Sequence, residues 1–255
     1  MINNNIIEKF HRDGFIVLKN FISKKLINDL KRETSNLVKK MEKKPFAKSR
    51  LNRDVHYLKN GQLSSVHNIN NHIEYHKKFL RRTKIAKVFK QIYSEPSKKL
   101  FNSSYFVKPK KNGIATKPHQ DNAFFNLKPN EAITCWVPVN DVTKTNSPVY
   151  YYVGSNKEGL VKHIFDGNLG ASLCIIKNEI NKIKKKYKKK YITLSKGDCI
   201  IHNPLVVHGS EKNSGSIDRA AFNFSIKSKK AKFQTKGVKN YYKNLDLFLK
   251  RKKKI

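Results

Sequence analysis

Apolar residues change their spacing along the chain near residue 100. Before it the spacing is mostly helical: residues 5–11 form a short amphipathic turn, and Leu26, Ile27, Leu30, Leu37 and Val38 fall on one stripe of a helix that Ser23 caps. Between the two, Asp13 to Ile22 alternates as a strand. After a lysine-rich loop around Pro45, a second helical stretch is predicted over 73–93, ended by Pro96. From Leu100 to Ser228 the chain consists of short β-branched and aromatic runs separated by Asn, Asp, Gly and Pro, which predicts an antiparallel sheet or barrel rather than βαβ units. The predicted strands cover 102–108, 132–139, 149–153, 192–194, 199–203 and 219–226. The last 27 residues, with Tyr241, Tyr242, Leu245, Leu247, Phe248 and Leu249, read as a docking helix with a basic tail. One domain is expected, mainly β with flanking α: a helical part over 1–99, a β core over 100–228, and a C-terminal helix and tail over 229–255.

Two alternations aim polar side chains at one face of a strand. Arg219 leaves the strand over 219–226 on the side opposite Ala220, Phe222, Phe224 and Ile226, an odd place for an arginine that serves only solubility. In the strand over 132–139, the face with Thr134 and Trp136 is the more polar one.

The 255 residues, 38% of them hydrophobic, suffice for one full-sized domain core. No run approaches the 18 or so apolar residues needed to cross a bilayer, which excludes a spanning helix. The N-terminus lacks the apolar run of a secretory signal, so a cytoplasmic protein is expected. The three cysteines, Cys135, Cys174 and Cys199, are odd in number and form no C-x-x-C, which supports neither a disulfide framework nor a zinc ribbon; each reads as a core residue. The net charge of +37 raises the question of a polyanion partner. Lysine outnumbers arginine 47 to 8, and 27 asparagines stand against 9 alanines, the mark of an AT-rich coding sequence. Removing the two densest basic runs, within 182–190 and 250–254, still leaves +25. The charge is therefore spread over the whole surface, and no specific nucleic-acid partner is expected.

The candidate chemistry starts at Lys117-Pro-His-Gln-Asp-Asn122, where His119 and Asp121 stand two residues apart and leave one face of extended backbone. With nine histidines and nine aspartates, about 0.3 such pairs arise by chance, so the pair needs support. That comes from His208, at the end of the apolar run from Ile200, followed by Arg219 eleven residues later. Two histidines and one carboxylate are the ligand set that holds non-haem Fe(II) and leaves positions open for dioxygen chemistry.

The chain resembles the phytanoyl-CoA dioxygenase family of Fe(II)- and 2-oxoglutarate-dependent oxygenases over most of its length. Asp13-Gly-Phe-Ile-Val-Leu-Lys-Asn-Phe-Ile is similar to the family's D-G-[FY] entry, Pro118-His-Gln-Asp121 to its first two iron ligands, and Cys135-Trp-Val-Pro-Val-Asn-Asp141 to the strand after them. Asn146-Ser-Pro-Val-Tyr-Tyr-Tyr-Val-Gly-Ser-Asn156 resembles its N-G-P-L…P-G-S-H segment, with Ser147 for the usual glycine, Val153 for a proline and Asn156 for a histidine. Lys196-Gly-Asp198 matches the turn before the last-ligand strand, and His208-Gly-Ser210 with Arg219 matches the final ligand and the cosubstrate anchor. The resemblance implies a double-stranded β-helix, a jelly-roll core of the cupin kind, with N-terminal helices. It implies Fe(II) held by His119, Asp121 and His208, and 2-oxoglutarate gripped by Arg219 and Ser210 and lined by Gln120 and Trp136. It also implies dioxygen as co-reactant, succinate and carbon dioxide as products, and hydroxylation of a small molecule. Asp121 stands where related halogenases carry a small residue, which favours hydroxylation over halogenation.

Other residues carry weaker expectations. Phe124 and Phe125 line either the substrate mouth or the core. His72 and His76, at helical i, i+4 spacing without the H-E-x-x-H order, read as a solvated face. His67 lies where family members approach the cosubstrate from an N-terminal segment. The basic surface would draw in an anionic substrate, although codon bias explains the same charge. A function of another class stays open beside the oxygenase: a non-catalytic, basic polyanion-binding protein on an oxygenase-like scaffold.

Overall fold

Period-two alternation sorts most strand residues into two layers. In the computed structural model, which describes residues 2–42, 54–166 and 172–252, seven strands form one antiparallel sheet. Their order is β1 (Phe15–Leu18), β12 (Cys199–His202), β7 (Ala132–Pro138), β14 (Arg219–Ser228), β4 (Ser97–Lys108), β3 (Leu63–Val66) and β2 (Val55–Tyr57). A second antiparallel sheet runs β11 (Lys189–Ile192), β8 (Val149–Tyr152), β13 (His208–Ser210), β5 (Thr116–His119). Two small ribbons pair β9 (His163–Phe165) with β10 (Leu173–Ile175) and β6 (Leu127–Lys128) with β15 (Lys232–Phe233).

One face of the large sheet, with Ile133, Cys135, Ile201, Phe222 and Phe224, packs under the N-terminal helices α1 (Asn4–Asp13), α2 (Lys24–Glu42), α3 (Glu74–Lys77), α4 (Phe79–Arg82) and α5 (Ile85–Tyr93). Phe79 stacks on Phe224 with ring centroids 3.5 Å apart. The other face meets the small sheet: Phe15, Trp136, Ile200 and Ala221 pack with Val149 and Tyr151 in one cluster. The outer face of the small sheet, with Tyr150 and Tyr152, is covered by α7 (Lys177–Lys186) through Ile180 and Ile183. Two sheets closing on a common interior form the expected double-stranded β-helix with flanking helices. The helix α6 (Asn122–Phe125) follows β5, and α8 (Thr235–Lys252) packs beside it.

The N-cap at Ser23 is present, its hydroxyl accepting from Leu26 N at 3.1 Å. Three sequence expectations change. The helix predicted over 73–93 is three helices, interrupted at Thr83, whose backbone is extended, and it ends at Ser94 in left-handed conformation before Pro96 is reached. His76 is not solvated: its side chain is fully buried against Phe222 and Phe224, and its Nε2 meets the Thr34 hydroxyl at 3.1 Å, while His72 faces Asp54 at the surface. The lysine run over 182–190 spans the end of a helix and the start of a strand. Ile180 and Ile183 anchor it as a helix, and the strand predicted over 192–194 begins at Lys189, where the lysines reach solvent beside Glu211. All three cysteines are buried thiols. Among the described residues no helix is long and apolar enough to cross a membrane.

Candidate metal centre

Strand pairing brings the predicted ligands together. β13 pairs with β5 so that His208 stands opposite His119, their rings 4.3 Å apart. Gly209 between the ligand and Ser210 has no room for a side chain, since a Cβ there would lie 2.5 Å from the Tyr150 hydroxyl and 2.6 Å from Thr116 O. Asp121 reaches the centre by another route than the extended strand predicted for it. β5 ends at His119, Asp121 turns into helical conformation, and its carbonyl accepts from Phe124 N and Phe125 N. One ligand atom from each of His119, Asp121 and His208 lies within 4.8 Å of the others, and all three residues are buried.

The protonation pattern follows from the neighbours. His119 Nδ1 lies 2.9 Å from Lys117 O and His208 Nδ1 lies 3.0 Å from Val206 O. A carbonyl only accepts, so both Nδ1 atoms carry the proton and both Nε2 atoms turn a bare lone pair toward the centre. Burial lowers the pKa of both imidazoles, His208 the further, which keeps them neutral. Asp121 Oδ1 faces the two Nε2 atoms at 3.8 and 3.5 Å. Its Oδ2 is occupied, accepting from Thr134 Oγ1 at 2.6 Å and His202 Nε2 at 3.0 Å. Burial opposes ionisation of Asp121, but the His202 hydrogen bond and the surrounding imidazoles outweigh it and hold the carboxyl below its usual range. Two bare imidazole nitrogens and one free carboxylate oxygen fit a divalent transition metal with further positions left open.

A cavity adjoins this centre, lined by His119, His208, Trp136, Ser210, Arg219 and Lys108. Arg219 is 3% exposed; its Nη2 donates to Ser210 Oγ at 3.2 Å, its Nε to Ser147 O at 3.3 Å, and the guanidinium lies 5.5 Å from the centroid of Trp136. Burial pulls its pKa down to about 10, so it remains a cation. Ser147 adopts φ +67°, a glycine-like conformation that turns its carbonyl to Arg219 despite the departure from the family's glycine. Lys108 is buried too, donating to Glu211 O at 2.8 Å and Ser210 O at 3.3 Å. Burial and the Arg219 charge push its pKa well below the ordinary lysine value.

The structure therefore gathers His119, Asp121, His208, Arg219, Ser210 and Trp136, but not Gln120. The fully buried Gln120 side chain leaves the opposite side of the segment from His119 and is spent on backbone: Nε2 donates to Gly159 O and Leu205 O, and Oε1 accepts from Val161 N. His67 does not approach the cavity with Arg219; with Phe124 and Phe125 it lines a second one that reaches Asp121. Sequence reading missed Lys108, His202, Thr134 and Tyr151 as parts of the site. Alternation could have found Lys108, four residues after Ser104 on the same face of β4, and His202, two residues after the inward Ile200.

Residues 10–221 match the family described as phytanoyl-CoA dioxygenase (PhyH). A phytanoyl-CoA dioxygenase domain-containing protein 1 homologue of Caenorhabditis elegans is 26% identical, covering 88% of this chain and 90% of its own. The peroxisomal phytanoyl-CoA dioxygenase of Bos taurus is 25% identical over 86% of this chain and 68% of its own. Among solved structures, EctD from S. alaskensis, crystallised with 2-oxoglutarate and 5-hydroxyectoine, superposes with a TM-score of 0.71 at 17% identity, covering 89% of this chain and 76% of EctD. The non-haem α-ketoglutarate-dependent carbocyclase SnoK of nogalamycin biosynthesis superposes with a TM-score of 0.69 at 15% identity, over 91% of this chain and 86% of SnoK.

Proposed function

Because the chain belongs to the phytanoyl-CoA dioxygenase family, we propose that it is an Fe(II)- and 2-oxoglutarate-dependent dioxygenase that hydroxylates a C–H bond of a small molecule and releases succinate and carbon dioxide. The observation that carries this is the convergence of His119 Nε2, His208 Nε2 and Asp121 Oδ1 beside a cavity that ends in a buried arginine. Bound iron and 2-oxoglutarate supply the oxidising chemistry with dioxygen. The chain's own residues supply the rest. His119, Asp121 and His208 hold the metal, with both imidazole tautomers set by carbonyls. Arg219 grips the far carboxylate of the cosubstrate, a planar cation against a planar anion, and Ser210 adds a hydroxyl donor. Lys108 brings a buried amine, held by Ser210 O and Glu211 O, to the same cavity. Trp136 forms a wall of that cavity and keeps water from the guanidinium.

Retention of all three candidate ligands, each with its orienting hydrogen bonds, has no use in a non-catalytic polyanion-binding scaffold, and no feature of the site favours that reading. Anaerobic addition of Fe(II) and then 2-oxoglutarate to metal-free protein tests the proposal. A visible charge-transfer band that disappears in His208→Ala and weakens in Arg219→Ala supports it; folded, iron-loaded protein without a band refutes it.

A further inference from the structure

A second cavity, of about 260 Å³, shares Phe106, His119 and Asn223 with the first and adds Asp121. Its two walls differ in chemistry. One is the inner face of the large sheet, where register sets Ser104 beside Asn223 and Asn102 beside Ser225. The other is aromatic and includes Phe124, Phe125 and Tyr241.

Two polar atoms on the first wall are unused. Ser225 is 1% exposed, and its hydroxyl, like Asn223 Oδ1, is buried with no hydrogen-bond partner among the described residues. Buried polar groups of this kind carry the full cost of leaving water unless a ligand meets them. The charge around them is unlike that of the whole protein. The described lining includes the carboxylates of Asp54 and Asp121 but no lysine or arginine. His67 adds no cation, since burial and the neighbouring His56 push its pKa down to about 3.

We propose that this cavity takes an uncharged, polyhydroxylated ring compound, whose hydroxyls bond Asn223 and Ser225 and whose apolar face lies on Phe124 and Phe125. A hydroxyl is the neutral group that can donate to an amide oxygen and exchange a hydrogen bond with a serine. A ring with a polar edge and an apolar face matches two such walls at once. An acyl thioester or another polyanion would find no described lysine or arginine in this lining, the reverse of what the +37 surface suggests. The proposal rests on the oxygenase reading of the adjoining centre and makes Asn223 and Ser225 specificity-determining residues.

The test uses protein loaded anaerobically with Fe(II) and 2-oxoglutarate, at about 0.3 M salt so that surface charge is screened. Phenyl β-glucoside and octanoyl-CoA are the probes, with affinity read by calorimetry. The glucoside is expected to bind, and Ser225→Ala and Asn223→Ala each to weaken it roughly five- to tenfold, with the cosubstrate's charge-transfer band unchanged in Ser225→Ala. Ser225→Thr, which keeps the hydroxyl, should bind like the unaltered protein. Tighter binding of octanoyl-CoA, no binding of the glucoside, or equal losses in the Ala and Thr variants at 225 would each overturn the proposal. Absence of the band in unaltered protein would instead refute the oxygenase reading itself.

Discussion

His202 donates its Nε2 proton to Asp121 Oδ2 across 3.0 Å. The carboxylate can only accept, so a neutral His202 carries its proton on Nε2, and its Nδ1 accepts a hydrogen bond from the Tyr151 hydroxyl at 3.0 Å. Tyr151, 0% exposed and with its pKa raised well above normal by burial and by Asp121, stays protonated to give it. This relay from β8 through β12 to Asp121 leaves Oδ1 as the oxygen that faces His119 and His208.

Breaking that relay should loosen the metal and spare the cosubstrate anchor. In His202→Ala, Asp121 keeps only the Thr134 hydroxyl and is free to rotate. Fe(II) affinity is expected to fall roughly 10- to 100-fold, while 2-oxoglutarate affinity at saturating iron stays within about twofold. Anaerobic Fe(II) titration followed by cosubstrate titration separates the two. Equal iron affinity in the variant would show that His202 orients nothing.

Lys108 and Arg219 bring a buried amine and a buried guanidinium to one cavity, and their roles can be told apart. Arg219→Ala removes the planar grip and should weaken 2-oxoglutarate about 100-fold, because charged hydrogen bonds in buried sites contribute about 1.5–3 kcal/mol each. Lys108→Met keeps the stem and removes the amine, and a loss of about tenfold is expected. A Lys108→Met protein with unaltered cosubstrate KM would reduce Lys108 to a brace for the carbonyls of Ser210 and Glu211.

Acid should unfold the protein partly through His76. Its folded-state pKa is lowered to about 4 by burial, against about 6.5 in the unfolded chain. The unfolded state therefore binds more protons between those values, and the stability that neutral His76 contributes is present above pH 6.5 and lost as pH falls toward 4. The full window corresponds to about 3 kcal/mol. Charging the ring would also leave its buried Nδ1, unpartnered among the described residues, with a proton to place. Denaturation midpoints of His76→Leu between pH 7 and pH 4 should fall less steeply than those of the unaltered protein, and parallel curves would exclude this residue as the cause.

Much of this site was legible because β-structure writes its faces into the sequence. Alternation in the strand over 219–226 separated Arg219 from Phe222 and Phe224, and that separation is the one found between the inner cavity and the helix-covered face. His208 opposite His119 is not readable from local pattern, since 88 residues and a strand pairing lie between them; the ligand set and the family resemblance suggest it. What stayed hidden has physical causes. Ile180 and Ile183 were masked by flanking lysines whose long stems tolerate a helix face as well as a loop. His76 looked solvated because i, i+4 spacing reports which residues share a face, not which face is covered. His202 and Lys108 were hidden because an isolated polar residue in an apolar strand announces a partner without saying where it lies.

The resemblance sets Gln120 beside the cosubstrate, whereas alternation from His119 points it to the other face, and a substitution tests the reassignment. Its carboxamide ties Gly159 O at 2.7 Å, Leu205 O at 2.6 Å and Val161 N at 2.9 Å into one point behind the ligand pair. Gln120→Leu leaves two carbonyls and one amide on half-buried backbone without this partner, so stability should drop by about 1–3 kcal/mol. Because the side chain faces away from Arg219, the 2-oxoglutarate affinity of the protein that remains folded should change less than about twofold, a difference well under the 1.4 kcal/mol of a tenfold effect. A residue lining the cosubstrate would give the opposite pair of results, near-normal stability with a large loss of affinity. Thermal denaturation and cosubstrate titration of the same preparation thus decide between a clamp on the 159–161 segment and a wall of the cosubstrate cavity.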